Sequence, residues 1–161
     1  MSMEIDRGDP VHRILIDARP RLWKAFVAVR GEHGADEAVS EALAWGWEHR
    51  ERLVSMDNPI GYLYRVGLSR SSKIVGGNSS TASALLPEPA EVGLPLIEPG
   101  LIPALLSLPE RQRCAVWLVH ACGWTHAETA EALDIARTTV GTHISRAMAS
   151  LRQKLEVKVN G

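Results

Sequence analysis

Residues 75–100, VGGNSSTASALLPEPAEVGLPLIEPG, constrain the fold most, because no hydrophobic period survives across them. The run is rich in Gly, Ser and Pro, the composition of a flexible linker rather than of a packed element. A chain of 161 residues interrupted there cannot build one continuous core. It is expected to form two small domains, residues 1–74 and 101–161, joined by the segment 75–100. Neither half shows sustained two-residue alternation next to hairpin signals, so the expected fold class is all-α.

The first half reads as three main helices. Asp9-Pro10 is a start signal, with Asp9 as the cap and Pro10 in the first turn. Pro20 is expected to break or kink this segment near Ala18–Arg19. Apolar residues resume at Leu22, Phe26, Val27 and Val29, and the stretch Gly31 to Gly34 ends the run. The next helix is expected from about Ala35 to Arg52. The third starts with Asn58 at the cap and Pro59 in the first position, and should reach about Lys73.

Two faces carry chemistry. On the second helix Val39, Ala42, Leu43, Gly46 and Trp47 share one side, expected inward, while Glu37, Glu41, Ala44, Trp45 and Glu48 share the other. A Trp exposed among carboxylates suits a protein interface. The alternative is a Trp folded back onto a neighbouring helix. On the third helix Ile60, Leu63, Tyr64 and Gly67 face inward, with Tyr62, Arg65, Ser69 and Lys73 outward. A ring among cations suits single-stranded DNA, with bases on the ring and phosphates on the charges. A merely solvated face is the alternative.

In the second half, Leu101, Leu105, Leu106 and Leu108 form a short apolar helix, Pro109-Glu110 starts another, and Gly123 ends it. Residues 123–155, GWTHAETAEALDIARTTVGTHISRAMASLRQKL, then read as a helix-turn-helix. Thr125 and Glu128 make a capping-box pattern. Asp134, Ile135 and Ala136 form a break, and a second helix starts near Arg137. Val140, Ile144, Ala147, Leu151 and Leu155 form its apolar stripe. Thr138, Thr142, Ser145 and Arg146 lie opposite, flanked by Thr139. The second helix of such a unit enters the major groove of DNA with its N-terminal residues on base edges. The alternative is a solvated helix in an all-α bundle.

Charge and composition bound these readings. A formal charge of −1 is not that of a strongly basic nucleic-acid binder, so DNA binding needs a local patch or a basic partner. Residues 101–161 are mildly basic, with seven Lys/Arg against five Asp/Glu, whereas 76–100 hold three Glu and no Lys or Arg. Two cysteines, Cys114 and Cys122, suit a reducing compartment. No apolar run of membrane-spanning length exists and the N-terminus lacks a signal-peptide core, so a cytoplasmic protein without membrane insertion is expected. Cys114, His120, Cys122 and His126 are the best raw material for a metal or thiol site. Their spacing is not that of a zinc site. No metal, cofactor or enzymatic activity is expected.

The segment LPERQRCAVWLVHACGWTHAETAEALDIARTTVGTHISRAMASLR, Leu108 to Arg152, resembles region 4 of the extracytoplasmic-function (ECF) sigma factors, members of the sigma-70 family of bacterial RNA polymerase. ADEAVSEALAWGWEHRERLVSMDNPIGYLYRVG, Ala35 to Gly67, resembles their region 2, and NP-x-GYLYRVG with AWGWEH looks like an actinobacterial branch. The resemblance implies a sigma factor that binds polymerase core, at the β′ clamp and the β flap, and directs promoter recognition and transcription initiation. It implies that Asp36, Glu37, Ser40, Glu41 and Trp45 meet polymerase. The loop from Glu51 to Asn58 and the helix after it would meet the melted −10 region, with Asn58, Tyr62, Arg65, Arg70 and Lys73 as candidates, and Arg137, Thr138, Thr139, Thr142, His143 and Arg146 would meet the −35 element. Promoter DNA is the implied ligand, and an anti-sigma factor is a further candidate partner. Two departures stand out: family members usually carry basic residues near Gly141 and His143, and L-S-R-S-S-K replaces the usual R-N-x-x-x-D after GYLYRVG. These leave room for a sigma-like regulator that does not open promoters, or for an interaction module with degenerate DNA surfaces.

Overall fold

The computed structural model describes residues 8–74 and 100–159, with side chains 72–74 and 157–159 excluded. The expected linker lies outside the described residues, apart from Gly100. Every described element is helical, as the sequence predicts, and the chain separates into two compact units, Met1–Gly77 and Asn78–Gly161.

In the first unit, α1 (Pro10–Glu48) is a hairpin rather than a rod. Asp9 caps it, its carboxylate accepting from the Val11 amide at 3.0 Å. Gly31 interrupts it with φ 72° and ψ 177°, a left-handed conformation that Gly adopts without a Cβ penalty. The arms on either side fold together. Trp23 Nε1 donates to Asp36 Oδ1 at 3.1 Å across the bend, and Leu15 lies against Gly46. The break expected at Pro20 does not occur. Pro20 is exposed, and the flanking Ala18 and Leu22 are buried, so packing on both sides carries the helix through it.

The second arm stops at Glu48, short of the expected Arg52. His49 leaves helical geometry at φ −112°, ψ 35°, and a separate short helix, α2 (Arg50–Ser55), follows. Its Leu53 is fully buried. After Met56–Asn58 comes α3 (Pro59–Ile74), at the expected start. Its Ile60, Leu63, Tyr64 and Gly67 all face the hairpin. Phe26 and Tyr64 stack with centroids 5.0 Å apart and planes 7° apart. Arg30 Nη2 donates to the Leu68 carbonyl at 3.1 Å, joining the bend to α3.

The second unit holds α4 (Leu101–Leu106), α5 (Glu110–Val116), α6 (His126–Leu133) and α7 (Arg137–Val159). Beyond α5 the chain continues as a π-helical segment, Trp117–Ala121, which periodicity did not signal. Gly123, at φ 70°, then turns the chain, as its position suggested. Ala104, Leu108, Val116, Ala147 and Leu151 form the core, with Leu105 and Met148 packed against it. Lys154 and Ser107 pair by hydrogen bond, and Arg113 Nη1 donates to the Leu106 carbonyl at 3.2 Å, fastening α7 and α5 to the end of α4.

The approach of α3 to the hairpin needs a missing side chain. A Cβ at Gly67 would collide with the Phe26 ring and stand 2.7 Å from the Ala38 carbonyl oxygen. Gly67→Ala is therefore expected to destabilise the protein by about 1–3 kcal/mol through overpacking, read as a lower urea midpoint at unchanged slope.

Candidate nucleic-acid and polymerase interfaces

The largest correction to the sequence reading concerns two tryptophans. Trp45, expected outward, is 7% exposed, and Trp47, expected inward, is 41% exposed. The second arm of α1 is covered by two neighbours, the first arm and α3, so its buried arc is wider than one apolar stripe. Trp45 lies on the α3 side of that arc, its ring centroid 5.0 Å from that of Tyr62 and tilted by 43°. His49 stacks on the indole at 4.4 Å and its Nδ1 is 2.9 Å from the Trp45 carbonyl oxygen. The alternative of a Trp folded onto a neighbouring helix is the one observed.

The surface strip of the second arm therefore runs through Asp36, Glu37, Ser40, Ala44, Trp47 and Glu48, all exposed. Asp36 also holds Trp23. The Arg50 guanidinium lies over Trp47, 5.8 Å from its centroid. Glu41 is turned away from this strip and pairs with Arg70 of α3 at 3.8 Å. Of the five residues assigned to polymerase, three share the exposed strip without Glu41 and Trp45, and Trp47 joins them.

Glu41 and Trp45 instead belong with the residues assigned to melted DNA. A groove of about 340 Å³ is lined by Trp45, Tyr62, Arg65, Val66, Ser69 and Arg70. Arg65 sits over the Tyr62 ring at 5.7 Å. Arg52 of α2, inside the expected Glu51–Asn58 segment but not itself named as a candidate, sits over both rings, 5.2 Å from Tyr62 and 5.8 Å from Trp45. The segment expected as a loop is mostly the short helix α2, and that helix places this cation over the rings. Asn58 precedes α3, its carbonyl accepting from the Tyr62 amide at 3.4 Å, and does not line the groove. Lys73 falls in the last turn of α3, where its side chain lies outside the described residues.

In the second unit the expected geometry is present. The Thr125 hydroxyl accepts from the Glu128 amide at 3.0 Å, and the Glu128 carboxylate accepts from the Thr125 amide at 3.1 Å. Asp134 ends α6 in the left-handed region at φ 55°, tolerable for a short polar side chain. Then α7 starts at Arg137. Val140, Ala147 and Leu151 are buried, and Ile144 and Leu155 half-buried. Arg137, Thr138, Thr142, Ser145 and Arg146 are exposed. Thr142 donates its hydroxyl to the Thr138 carbonyl at 3.1 Å. Thr139 and His143 depart from the outward face. Both are half-buried, and His143 Nδ1 is buried without a hydrogen-bond partner, because they border the buried stripe.

Burial and the Glu110 carboxylate push the Cys114 thiol upward, keeping it protonated rather than nucleophilic. Among the described residues no cluster of His, Cys, Asp or Glu is placed to hold a metal, and no helix is long and apolar enough to cross a membrane.

Comparison with known proteins agrees with this geometry. Residues 101–151 match the family described as Sigma-70, region 4. The ECF RNA polymerase sigma factor SigL of Mycobacterium tuberculosis, strain Erdman, is 25% identical over 146 residues, 84% of this chain and 82% of that protein. SigL of strains CDC 1551 and H37Rv matches equally. Among solved structures, the Bartonella quintana sigma factor RpoE, in complex with the anti-sigma factor NepR, shares the fold. Its TM-score is 0.64 at 21% identity, covering 91% of this chain and 96% of that one. Residues 101–151 thus carry the Sigma-70 region 4 pattern on the helix-turn-helix, and the chain is similar to ECF sigma factors of the sigma-70 family across both helical units.

Proposed function

We propose that the chain binds RNA polymerase core through its first unit and directs that polymerase to promoters, reading upstream duplex with its second unit. The observation that carries this reading is the pair of DNA-facing surfaces on one chain. One is a capped helix-turn-helix with Arg137, Thr138, Thr142 and Arg146 outward; the other is an aromatic groove flanked by cations. A chain of net charge −1 needs such local patches, and a large nucleic-acid enzyme as partner supplies the remaining affinity. No chemistry of its own is required; the chain positions a catalyst.

Polymerase docking falls to Asp36, Glu37, Ser40 and Trp47 on the exposed strip, with the β′ clamp as the counterpart of the first unit and the β flap of the second. The site of action is then the cytoplasm, and a protein that masks either unit would act as an anti-sigma factor. Tyr62, Arg65 and Arg70 serve the melted strand. Arg137, at the start of α7, can make a bidentate guanine contact, while the threonines can reach thymine methyls. Arg146, two turns in, meets phosphate.

Trp47→Ala should weaken core binding by about 2 kcal/mol or more, as truncation of an interface aromatic does, and should leave stability within roughly 0.5 kcal/mol. Trp45→Ala should instead cost about 3–5 kcal/mol of stability, because that ring is buried. Titration of labelled core and chemical unfolding separate the two.

In holoenzyme, Arg137→Ala should relax base preference at one upstream position, at a cost of about 1–3 kcal/mol. Arg146→Ala should weaken all sequences alike and reduce the salt slope by about 1. A panel of upstream-element mutants at two salt concentrations checks both. The reverse pattern would mean a different docking of α7.

A further inference from the structure

We propose that two copies of this chain pair through one face of the α1 hairpin when no polymerase is bound, and that polymerase core displaces the second copy. The pairing stands on the hairpin alone. Only the displacement rests on the sigma-factor reading.

The two arms of α1 run antiparallel, with Leu15 against Gly46 and Trp23 bonded to Asp36. Each residue advances about 100° around a helix. In an antiparallel pair, the residues that follow two facing positions therefore turn to the same side. Ile16 and Trp47 follow Leu15 and Gly46, so they stand together on one side of the hairpin, 56% and 41% exposed. Pro20 and Ala44, also exposed, carry this apolar strip one turn toward the bend. The borders of the strip differ in sign. Residues 10–30 hold five Lys/Arg and one Asp, whereas residues 31–49 hold five Asp/Glu and no Lys or Arg. Arg13 and Lys24 are exposed on the first arm, Glu37 and Glu48 on the second. Counting along both arms from the Leu15–Gly46 pair, Arg13 stands level with Glu48 and Lys24 with Glu37. A face built this way is complementary to itself. A two-fold axis parallel to the arms lays the basic arm of each copy on the acidic arm of the other, and every contact is made twice. Ile16 then meets Trp47 of the second copy, Arg13 meets its Glu48, and Lys24 meets its Glu37. The aromatic and aliphatic centre supplies affinity and the charges fix the register. Exposed ion pairs are individually weak, so the dimer is reversible and loosens as salt rises. Glu37 and Trp47 also belong to the strip assigned to polymerase, so core and a second copy exclude each other.

The test is sedimentation velocity of the full chain over a concentration series, at low and high salt. The wild-type chain should pass from monomer to dimer as concentration rises, and less readily at high salt. Trp47→Ala should raise the dimer dissociation constant about 30-fold or more, the effect of losing one interface aromatic. Two double variants test the register. Arg13→Glu with Lys24→Glu makes both borders acidic, and Glu37→Lys with Glu48→Lys makes both basic. Each should raise the dissociation constant about 10-fold or more, because like charges then face each other. An equal mixture of the two should dimerise again, since each supplies the charge the other lacks. All four side chains are exposed, so circular dichroism should show both variants folded. Adding polymerase core to the wild-type dimer should give a complex with one chain per core. A chain that stays monomeric at every concentration, an unaffected Trp47→Ala, or a mixture of the two double variants that stays monomeric overturns the pairing. Core that binds the dimer without splitting it overturns the displacement. A dimer that forms while core is not bound at all overturns the sigma-factor reading and leaves the pairing in place.

Discussion

The close approach of α3 to the α1 hairpin sets the geometry of the first unit. Gly67 permits it, by leaving room for the Phe26 ring and the Ala38 carbonyl. The Phe26–Tyr64 stack and the Arg30–Leu68 bond then fix the crossing. From that crossing follows the position of every side chain in the groove. Tyr64 faces inward, so Tyr62 and Arg65 on the same helix must lie to its sides, against the edge of the hairpin where Trp45 emerges. The groove is thus a consequence of helix packing and does not depend on a loop to shape it.

The second unit solves a different problem, holding a helix by one stripe while leaving the opposite face of its first two turns exposed. The capping box fixes where α6 starts, and the left-handed Asp134 fixes where it ends. Burial of Val140, Ala147 and Leu151 then sets the rotation of α7, and rotation decides which side chains face outward. The outward face carries Arg137 and Arg146 with only short side chains between them, Thr138, Thr142 and Ser145. Such a face sets its two charges at the ends of a row of short polar side chains.

Local signals were legible wherever one residue type satisfies one backbone need. Asp9-Pro10, Asn58-Pro59, Thr125 with Glu128, and Gly123 each marked a boundary that the structure keeps. Pro20 misled, because buried neighbours on both sides outweigh the loss of a single helical hydrogen bond. Trp45 and Trp47 misled for another reason. Two residues apart on a helix they point about 200° apart, so one must face out, and periodicity alone cannot say which when two neighbours share the burial. The contribution of Arg52 is tertiary, made by a short helix folded against α1, and has no pattern along the chain. The π segment at Trp117–Ala121 likewise left no periodic trace.

The central claim is that this chain gives RNA polymerase its promoter choice. It is tested most directly by in vitro transcription of fragmented genomic DNA by core polymerase, with and without the chain, and mapping of the 5′ ends. The account predicts new, discrete start sites that appear only with the chain and share two upstream sequence elements, one for each unit. Binding of the chain to core with no chain-dependent start site would contradict promoter initiation, and no binding to core would contradict the assignment as a whole.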